Sequence, residues 1–281
     1  MQKFKKTLLT SILLAASTTT LAASPQGDLD ATLSAAYGHN WFDANGDETD
    51  ESIADLRASM AYTAGNGLGF QLDNVYARYT LGERDLASDD IAGHLYFRND
   101  QMLFGILAQR RTFDATNFYE DDTGDTPLPI PIDQRFFGVE AQGYFGAVTL
   151  YGQAGFQRLN LMSNKGDGEF ATLELRYFAN DDWRIDATAG YQNVVDEDAW
   201  SASLGTEYRL TSTPLSVYAT YDHIDQSNFT GLKTDRLMLG VKLNLGKDTL
   251  KQRDRQGVTL NPVIHEPSFL GDTEDDEDDE E

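Results

Sequence analysis

The chain has 281 residues, 46 of them acidic and 22 basic, which gives a net charge of −24. This charge argues against a nucleic-acid partner, since a phosphate backbone is met by clustered Lys and Arg. The absence of cysteine excludes disulfides and thiolate metal sites. The 3 Trp, 13 Tyr and 15 Phe argue against a disordered acidic chain, which would lack side chains able to bury surface.

The N-terminus has the layout of a secretory signal peptide. Three lysines precede a short apolar core at residues 8–16, and Thr20-Leu21-Ala22 then places small residues at the cleavage positions. The core is shorter than the ~20 residues of a membrane-spanning helix, so an uncleaved anchor is the less favoured alternative. We predict a signal peptide at residues 1–22, cut after Ala22 or Ala23. Losing its three lysines leaves a mature net charge of −27.

The remaining sequence alternates with period two, which places successive side chains on opposite faces of a strand. The clearest example is residues 237–245, where Leu or Val stands at every second position. Twelve such runs are found, near 28–38, 53–63, 67–80, 90–98, 101–113, 134–145, 147–158, 169–178, 183–193, 199–210, 214–224 and 235–245. No stretch of similar length shows helical periodicity, so the sequence predicts an all-β protein.

Two of the twelve runs are irregular. The third changes phase near Asn74, which we interpret as a possible β-bulge. The fifth, from Met102 to Phe113, is apolar on both faces.

The connections between runs alternate in length. Short ones, such as Gly65-Asn66-Gly67, Asn99-Asp100 and Asn180-Asp181, carry residues that tolerate tight turns. An even strand number with alternating connections predicts an antiparallel up-and-down transmembrane β-barrel of about 12 strands, with short periplasmic turns and longer extracellular loops. A secreted sandwich or adhesin is the alternative.

Aromatic residues near strand ends on the apolar faces support the barrel, because aromatic girdles mark the two membrane interfaces. They are Tyr37, Tyr62, Phe145, Tyr177, Trp183, Tyr191, Trp200, Tyr208 and Tyr221.

This layout resembles the porin-like outer-membrane β-barrel proteins of Gram-negative bacteria, across the signal and residues 28–245. One motif supports the resemblance: Met238-Leu239-Gly240-Val241-Lys242-Leu243-Asn244-Leu245 is similar to the C-terminal signal that such proteins present to the barrel-assembly machinery. It differs in ending on Leu and in being followed by 36 further residues, unlike the general trimeric porins. The resemblance implies location in the outer membrane, contact with its lipids and lipopolysaccharide, and an oligomeric state that stays open.

We divide the chain into the signal peptide at 1–22, the barrel at 23–245, and a periplasmic tail at 246–281. Nine of the ten residues from Asp272 to Glu281 are acidic, and such a block stays disordered. The simplest expectation is a solvated tail. Contact with peptidoglycan or a periplasmic partner, or folding back into the lumen, are alternatives.

Fifteen charged positions are expected to line the lumen from the alternation alone. They are Asp30, Asp55, Arg57, Arg98, Arg111, Glu140, Glu174, Arg176, Arg184, Asp186, Glu207, Arg209, Asp222, Arg236 and Lys242. Several form acid-x-base pairs that share one strand face. Sparse charges in a water-filled lumen would make a selective pore, whereas dense paired charges would fill the barrel. Barrel diameter grows with strand number, and a barrel of twelve strands is intermediate between small barrels with a filled interior and large ones with an open channel. We expect a narrow channel.

The long connections are acidic, with only Arg84, Lys165 and Lys233 as bases. An acidic vestibule concentrates cations, so we predict a porin-like passive channel for small hydrophilic, preferentially cationic solutes. Alternatively, the acidic loops only form a solvated surface bridged to lipopolysaccharide by divalent ions. The longest connection, 114–133, would be a constriction loop, a partner-binding loop or simply an exposed proline-rich loop.

A second hypothesis is a non-conducting structural or adhesive barrel that binds partners through its loops or tail. An outer-membrane lipid deacylase or lipase is a third, but no histidine is followed two residues later by the serine of the phospholipase pattern. His94 falls on the polar face of the fourth run, where a lumen-lining role is favoured. We therefore predict no enzymatic activity, no metal site and no cofactor.

Overall fold

The computed structural model describes residues 27–44, 47–81, 84–114, 131–161, 164–194, 197–226 and 232–263. The predicted signal peptide and most of the connection 114–133 lie outside these residues.

Twelve strands and one short helix account for nearly all of the described chain. They are β1 (Gly27–Ala44), β2 (Asp47–Ala64), β3 (Leu68–Leu81), β4 (Arg84–Arg98), β5 (Met102–Asp114), β6 (Pro131–Phe145), β7 (Val148–Leu161), β8 (Asn164–Asn180), β9 (Trp183–Val194), β10 (Glu197–Arg209), β11 (Leu215–Gln226), β12 (Leu232–Leu245) and α1 (Leu250–Gln256).

The strands form a closed antiparallel barrel in which each strand pairs with its neighbours in sequence. The barrel is closed by β1 and β12, from the pair Ala31 and Leu245 at one end to Ala44 and Leu232 at the other. Closure leaves no sheet edge, which is what a sheet in lipid requires. The predicted 12-stranded up-and-down barrel is confirmed.

The outer surface carries large apolar side chains that a water-soluble barrel would not expose. Most of the predicted girdle residues are exposed, whereas Tyr62 and Tyr191 are half-buried. Tyr191 packs against Trp200 with ring centroids 4.7 Å apart, and Tyr62 against Phe70 at 6.0 Å. The outward face is therefore suited to hydrocarbon flanked by aromatic residues.

The strands extend further than the hydrophobic alternation predicts. The first long connection, predicted at 39–52, is mostly paired strand, and Trp41 lies opposite Asp50 in the register. Beyond the membrane both faces of a hairpin contact water, so the strands carry no apolar alternation there. The backbone hydrogen bonds between the two strands nevertheless continue. The corresponding loop prediction was too long for this reason.

The β-bulge predicted near Asn74 is wrong, since β2 and β3 pair in continuous register through this position. Odd-numbered residues of β3 face inward along its whole length. Outward residues change from Phe70 and Leu72 to Asn74 and Arg78, while Ala77 and Tyr79 join a small inward cluster with Ile53. The change of phase in the sequence therefore marks where β3 leaves the hydrocarbon.

The chain after β12 returns into the barrel, which differs from the predicted solvated tail. Helix α1 is capped by Thr249, whose hydroxyl accepts a hydrogen bond from the Gln252 amide at 3.1 Å. Residues 257–263, here called the lumenal segment, then pass along the inner wall without regular secondary structure, with Leu260 and Val263 buried. Residues 264–281 lie outside the described chain. No helix among the described residues is long and apolar enough to cross a membrane.

We expect Leu204→Arg to destabilise the folded barrel by about 2–4 kcal/mol, the cost of a lipid-facing Arg near the bilayer midplane. Leu204 is 59% exposed and lies on β10 midway between Trp200 and Tyr208. The matched control is Ser203→Arg on the lumenal face, which should cost much less. Urea unfolding in lipid vesicles measures both, and equal losses of stability would contradict the assigned faces.

Candidate functional site

The fifteen charged residues predicted for the lumen all lie at inward-facing positions of their strands. Three acid-x-base pairs form ion pairs within one strand: Arg57 with Asp55 at 3.0 Å, Arg176 with Glu174 at 2.8 Å, and Arg184 with Asp186 at 2.8 Å. The lumen is thus lined by charges that are neutralised over short distances.

The fourth pair, Glu207 and Arg209, is split between different partners. Arg209 binds Asp182 in the short turn before β9 at 2.7 Å. Glu207 is buried and lies 2.9 Å from Lys242 and 2.9 Å from Arg253 of α1. Glu207 therefore links the barrel wall to the C-terminal helix.

His94 is held between two carboxylates on the inner wall. Its Nε2 lies 3.1 Å from Asp73 and its Nδ1 lies 2.9 Å from Glu140. The Tyr151 hydroxyl donates a hydrogen bond to Glu140 at 2.9 Å. These contacts connect β3, β4, β6 and β7 and give His94 a cross-linking position in the wall.

The lumenal segment is held mainly through its backbone. The Gln71 amide donates to the Leu260 carbonyl at 2.7 Å and accepts from the Thr259 and Leu260 amides at 3.1 and 3.2 Å. Gln109 repeats this pattern with Val263, donating at 3.0 Å and accepting at 2.6 Å. Each glutamine thus pairs with the segment much as a neighbouring strand would.

Three arginines add charge-assisted hydrogen bonds to the same backbone. Arg98 donates to the Gly257 carbonyl at 3.1 Å, Arg111 to the Val263 carbonyl at 2.6 Å, and Arg176 to the Thr259 carbonyl at 2.9 Å. These arginines were predicted to line the lumen, but the structure shows them committed to the C-terminal chain.

Two apolar contacts explain why β5 is apolar on both faces. Leu103 and Tyr96 form a buried cluster with Leu260, and Leu107 forms another with Val263. The inward leucines of β5 are therefore covered by the lumenal segment.

Asp30 on β1 holds the start of the lumenal segment. Its carboxylate accepts a hydrogen bond from the Val258 amide at 2.7 Å. A side chain at Gly257 would overlap this carboxylate, so glycine is required at the close approach.

A cavity of about 230 Å³ remains beside the lumenal segment. Its walls come mainly from β1, β2 and β8–β12, and Asn261 and Pro262 of the segment close one side. Its charged lining residues are Asp55, Arg57, Glu174, Arg184, Asp186, Glu207, Asp222, Arg236 and Lys242.

A family model described as Gram-negative porin matches residues 26–229 of the chain. The chain belongs to this family. It is accordingly an outer-membrane channel protein. A comparison with curated proteins found no match.

Solved structures similar to this porin are also outer-membrane barrels, at low sequence identity. The KdgM porin in complex with disordered oligogalacturonate has 9% identity and a TM-score of 0.49, over 75% of this chain and 99% of that one. The translocator domain of the autotransporter NalP from Neisseria meningitidis has 13% identity and a TM-score of 0.48, over 84% and 95%. OmpTdeltaL8, a loop deletion mutant of OmpT from Vibrio cholerae, has 12% identity and a TM-score of 0.46, over 78% and 100%.

Sequence reasoning missed the glutamines of this porin that hold the lumenal segment. Gln71, Gln109, Gln142 and Gln153 are all buried at inward positions. They are uncharged and carry no recognisable spacing. The one available signal was the inward pair Leu103 and Leu107, since apolar residues in a lumen require a covering partner.

Docking of the porin's C-terminal chain should weaken in acid. Burial raises the pKa of the Asp254 carboxyl, but the ion pair with Arg176 at 2.7 Å and a hydrogen bond from Thr149 outweigh burial and hold that pKa below its usual value. The ionised carboxylate therefore stabilises docking at every pH above the pKa that Asp254 has in the unfolded chain. This stabilisation is lost as the pH falls through the lower pKa of the folded state.

Because the chain has no cysteine, the variant Gln256→Cys can be labelled with a nitroxide at this one position. Electron paramagnetic resonance of the label then reports whether α1 is docked. We expect a label whose motion at neutral pH is restricted by the docked helix, and a more mobile one only below the usual Asp range of about 4. Adding Asp254→Asn should mobilise the label at neutral pH and remove the acid step. Identical spectra for the two proteins at every pH would contradict this role of Asp254.

Proposed function

We propose that this porin is a passive diffusion channel for small hydrophilic solutes, with a preference for cations. The observation that carries the proposal is the charged cavity beside the lumenal segment within a closed barrel. Polar and charged walls favour hydrated solutes over apolar ones.

The lumenal segment supports a limit on solute size. It covers the inner faces of β3–β8, and the remaining cavity of about 230 Å³ suits only small molecules. Larger solutes would need the segment to move away from the wall.

The charge distribution supports the preference for cations. The predicted lumenal set holds seven acids and eight bases, and among the residues that the structure describes four further acids are buried (Glu51, Asp73, Asp90 and Asp254) against two further basic residues, His94 and Arg253. Without the predicted signal peptide the chain has a net charge of −27, which lowers the electrostatic potential around the lumen as a whole.

A non-conducting structural or adhesive barrel is the second candidate. The occupied β3–β8 side of the lumen and its dense ion pairs favour this function, because both reduce the open cross-section. Under either function, recognition of β12 by the barrel-assembly machinery and contact with lipopolysaccharide remain proposals. We also propose no enzymatic activity.

Planar-bilayer recording of the folded, purified full chain separates the two candidates. Discrete conductance steps support the channel, and a silent but correctly inserted barrel would leave the structural function. In a KCl gradient, the reversal potential should have the sign of K⁺ permeation and shrink as salt screens the charges.

Substitution of one charged pair should shift this selectivity in opposite directions. Asp222 and Arg236 lie 3.0 Å apart beside the cavity. Asp222→Asn leaves the Arg236 charge uncompensated and should move the reversal potential toward anions, whereas Arg236→Gln should move it toward cations. Shifts of the same sign in both variants would show that the pair does not face the permeation path.

Leu260→Asp should release the lumenal segment and enlarge the conducting path. A carboxylate would be buried in the apolar cluster of Tyr96, Leu103 and Tyr151 and would lose its hydration there. Because the segment fills one side of the lumen, we expect the unit conductance to rise by about twofold. Gln256→Asp, at an exposed site of α1, is the matched control and should leave conductance unchanged. Equal conductance in both variants would show that the segment does not narrow the path.

A further inference from the structure

The barrel binds the main chain of the lumenal segment almost completely. Pro262 has no amide, and each of the other five amides from residue 258 to 263 donates a hydrogen bond to a barrel side chain. The carbonyls of residues 257, 259, 260, 261 and 263 accept hydrogen bonds from barrel side chains as well. Six of these side chains, here called the main-chain track, lie on β3–β8: Gln71, Arg98, Gln109, Arg111, Gln153 and Arg176. The track therefore recognises atoms that every peptide carries.

Apolar side chains of the segment are buried at two positions, three residues apart. Leu260 packs in the cluster that contains Leu103, and Val263 packs in the cluster that contains Leu107. In peptide-binding sites of this kind, main-chain hydrogen bonds give affinity and pockets for individual side chains give specificity. The wall is thus selective at two positions and tolerant of sequence between them.

The covalent connection to the barrel gives the lumenal segment its advantage over a free peptide. Strand β12 ends at Leu245 and the segment begins at Gly257, so the connection contains α1 and short flanking residues. A short connection holds its segment at an effective concentration in roughly the millimolar range. A free peptide is therefore expected to bind only where the segment has been released.

Two buried hydrogen-bond acceptors lie beside the end of the described chain. Gln134 of β6 is opposite Arg111 in the strand register, and Gln192 of β9 is opposite Phe170, which shares an apolar cluster with Val263. The two glutamines are 0% and 3% exposed, and among the described residues their Oε1 atoms have no hydrogen-bond partner. A buried acceptor is stabilised by a donor, so the wall can receive further peptide amides next to the Val263 position.

We propose that the inner wall of β3–β8 is a binding site for short linear peptides that carry apolar side chains at two positions three residues apart. The lumenal segment occupies this site as an intramolecular competitor. The ligand is a peptide because the wall offers donors to carbonyls and acceptors to amides along one line, which matches a polypeptide main chain. This site is distinct from the charged cavity, and its occupancy does not depend on whether the barrel conducts.

Fluorescence anisotropy of a dye-labelled peptide tests this site on full-length protein in detergent micelles. The peptide Gly-Val-Thr-Leu-Asn-Pro-Val copies residues 257–263. Leu260→Asp with Val263→Asp releases the segment from both apolar clusters and leaves the track intact. Gly257→Asp releases it independently, because a side chain there overlaps Asp30. We expect both variants to bind the peptide at least tenfold more tightly than the unmodified protein does, and equal binding by all three would overturn the proposal.

A substitution in the track locates the bound peptide. Gln71→Ala, added to the Leu260/Val263 variant, removes hydrogen bonds to one carbonyl and two amides and should weaken binding about tenfold. The matched control is Gln226→Ala, a buried glutamine of β11, which should leave binding unchanged. Equal effects of the two substitutions would place the peptide elsewhere and contradict the assigned site.

Two altered peptides separate recognition of the main chain from recognition of one particular sequence. N-methylation at the positions of Leu260 and Val263 keeps every side chain but removes the amide donors to Gln71 and Gln109, so binding should weaken more than tenfold. Alanine at the three positions 258, 259 and 261 keeps both apolar anchors and should weaken binding less than tenfold.

Tight binding of the N-methylated peptide would show that main-chain recognition is not the basis of affinity. Loss of binding by the alanine peptide would show that the wall accepts only its own segment. Either result would overturn the proposal. Because anisotropy requires no ion current, these outcomes are independent of the channel function.

Discussion

Backbone hydrogen bonding in a medium without water is the constraint on which the architecture depends. A strand edge in hydrocarbon would leave a row of amides and carbonyls unpaired, at a cost of several kcal/mol each. The ladder between β1 and β12 removes that edge, with pairs from Ala31 and Leu245 to Ala44 and Leu232. Once the sheet is closed, alternate side chains must face either lipid or lumen. The apolar outer surface and the polar inner surface both follow from this closure.

The same constraint places many charges in a confined interior, where each must be compensated. Glu207 illustrates the solution, since it contacts Lys242, Arg184 and Arg253. The C-terminal chain takes part in this compensation and also offers its own backbone groups to the wall. Because Gln71 and Gln109 bind amides and carbonyls, the wall holds the lumenal segment as a sheet would hold another strand. The remaining opening is defined as much by this segment as by the strands.

The sequence predicted the strand number, the closed topology and the facing of the lumenal charges, because period-two alternation is strong wherever one face meets lipid. The prediction from sequence failed where the difference between a lipid-facing side and a lumen-facing side ends. Around Asn74 the apolar positions change face because β3 leaves the membrane, and the hairpin near Trp41 continues in water without a clean pattern. Folding of the tail back into the lumen was only an alternative to a solvated tail, because backbone recognition by glutamine leaves no motif that would favour it. Only Leu103 and Leu107, apolar at inward positions, pointed to a covering partner.

The position of the lumenal segment in the sequence also has a consequence for folding of the barrel. Its partners are remote in sequence: Leu260 is 189 residues from Gln71, and Val263 is 154 residues from Gln109. Contacts of such high contact order form late, and the surface they need exists only after β3–β8 have assembled side by side. The segment also follows β12, the last strand of the described chain. The segment can therefore dock only after this part of the wall has formed, and until then the lumen of the closing barrel is wider than in the final structure.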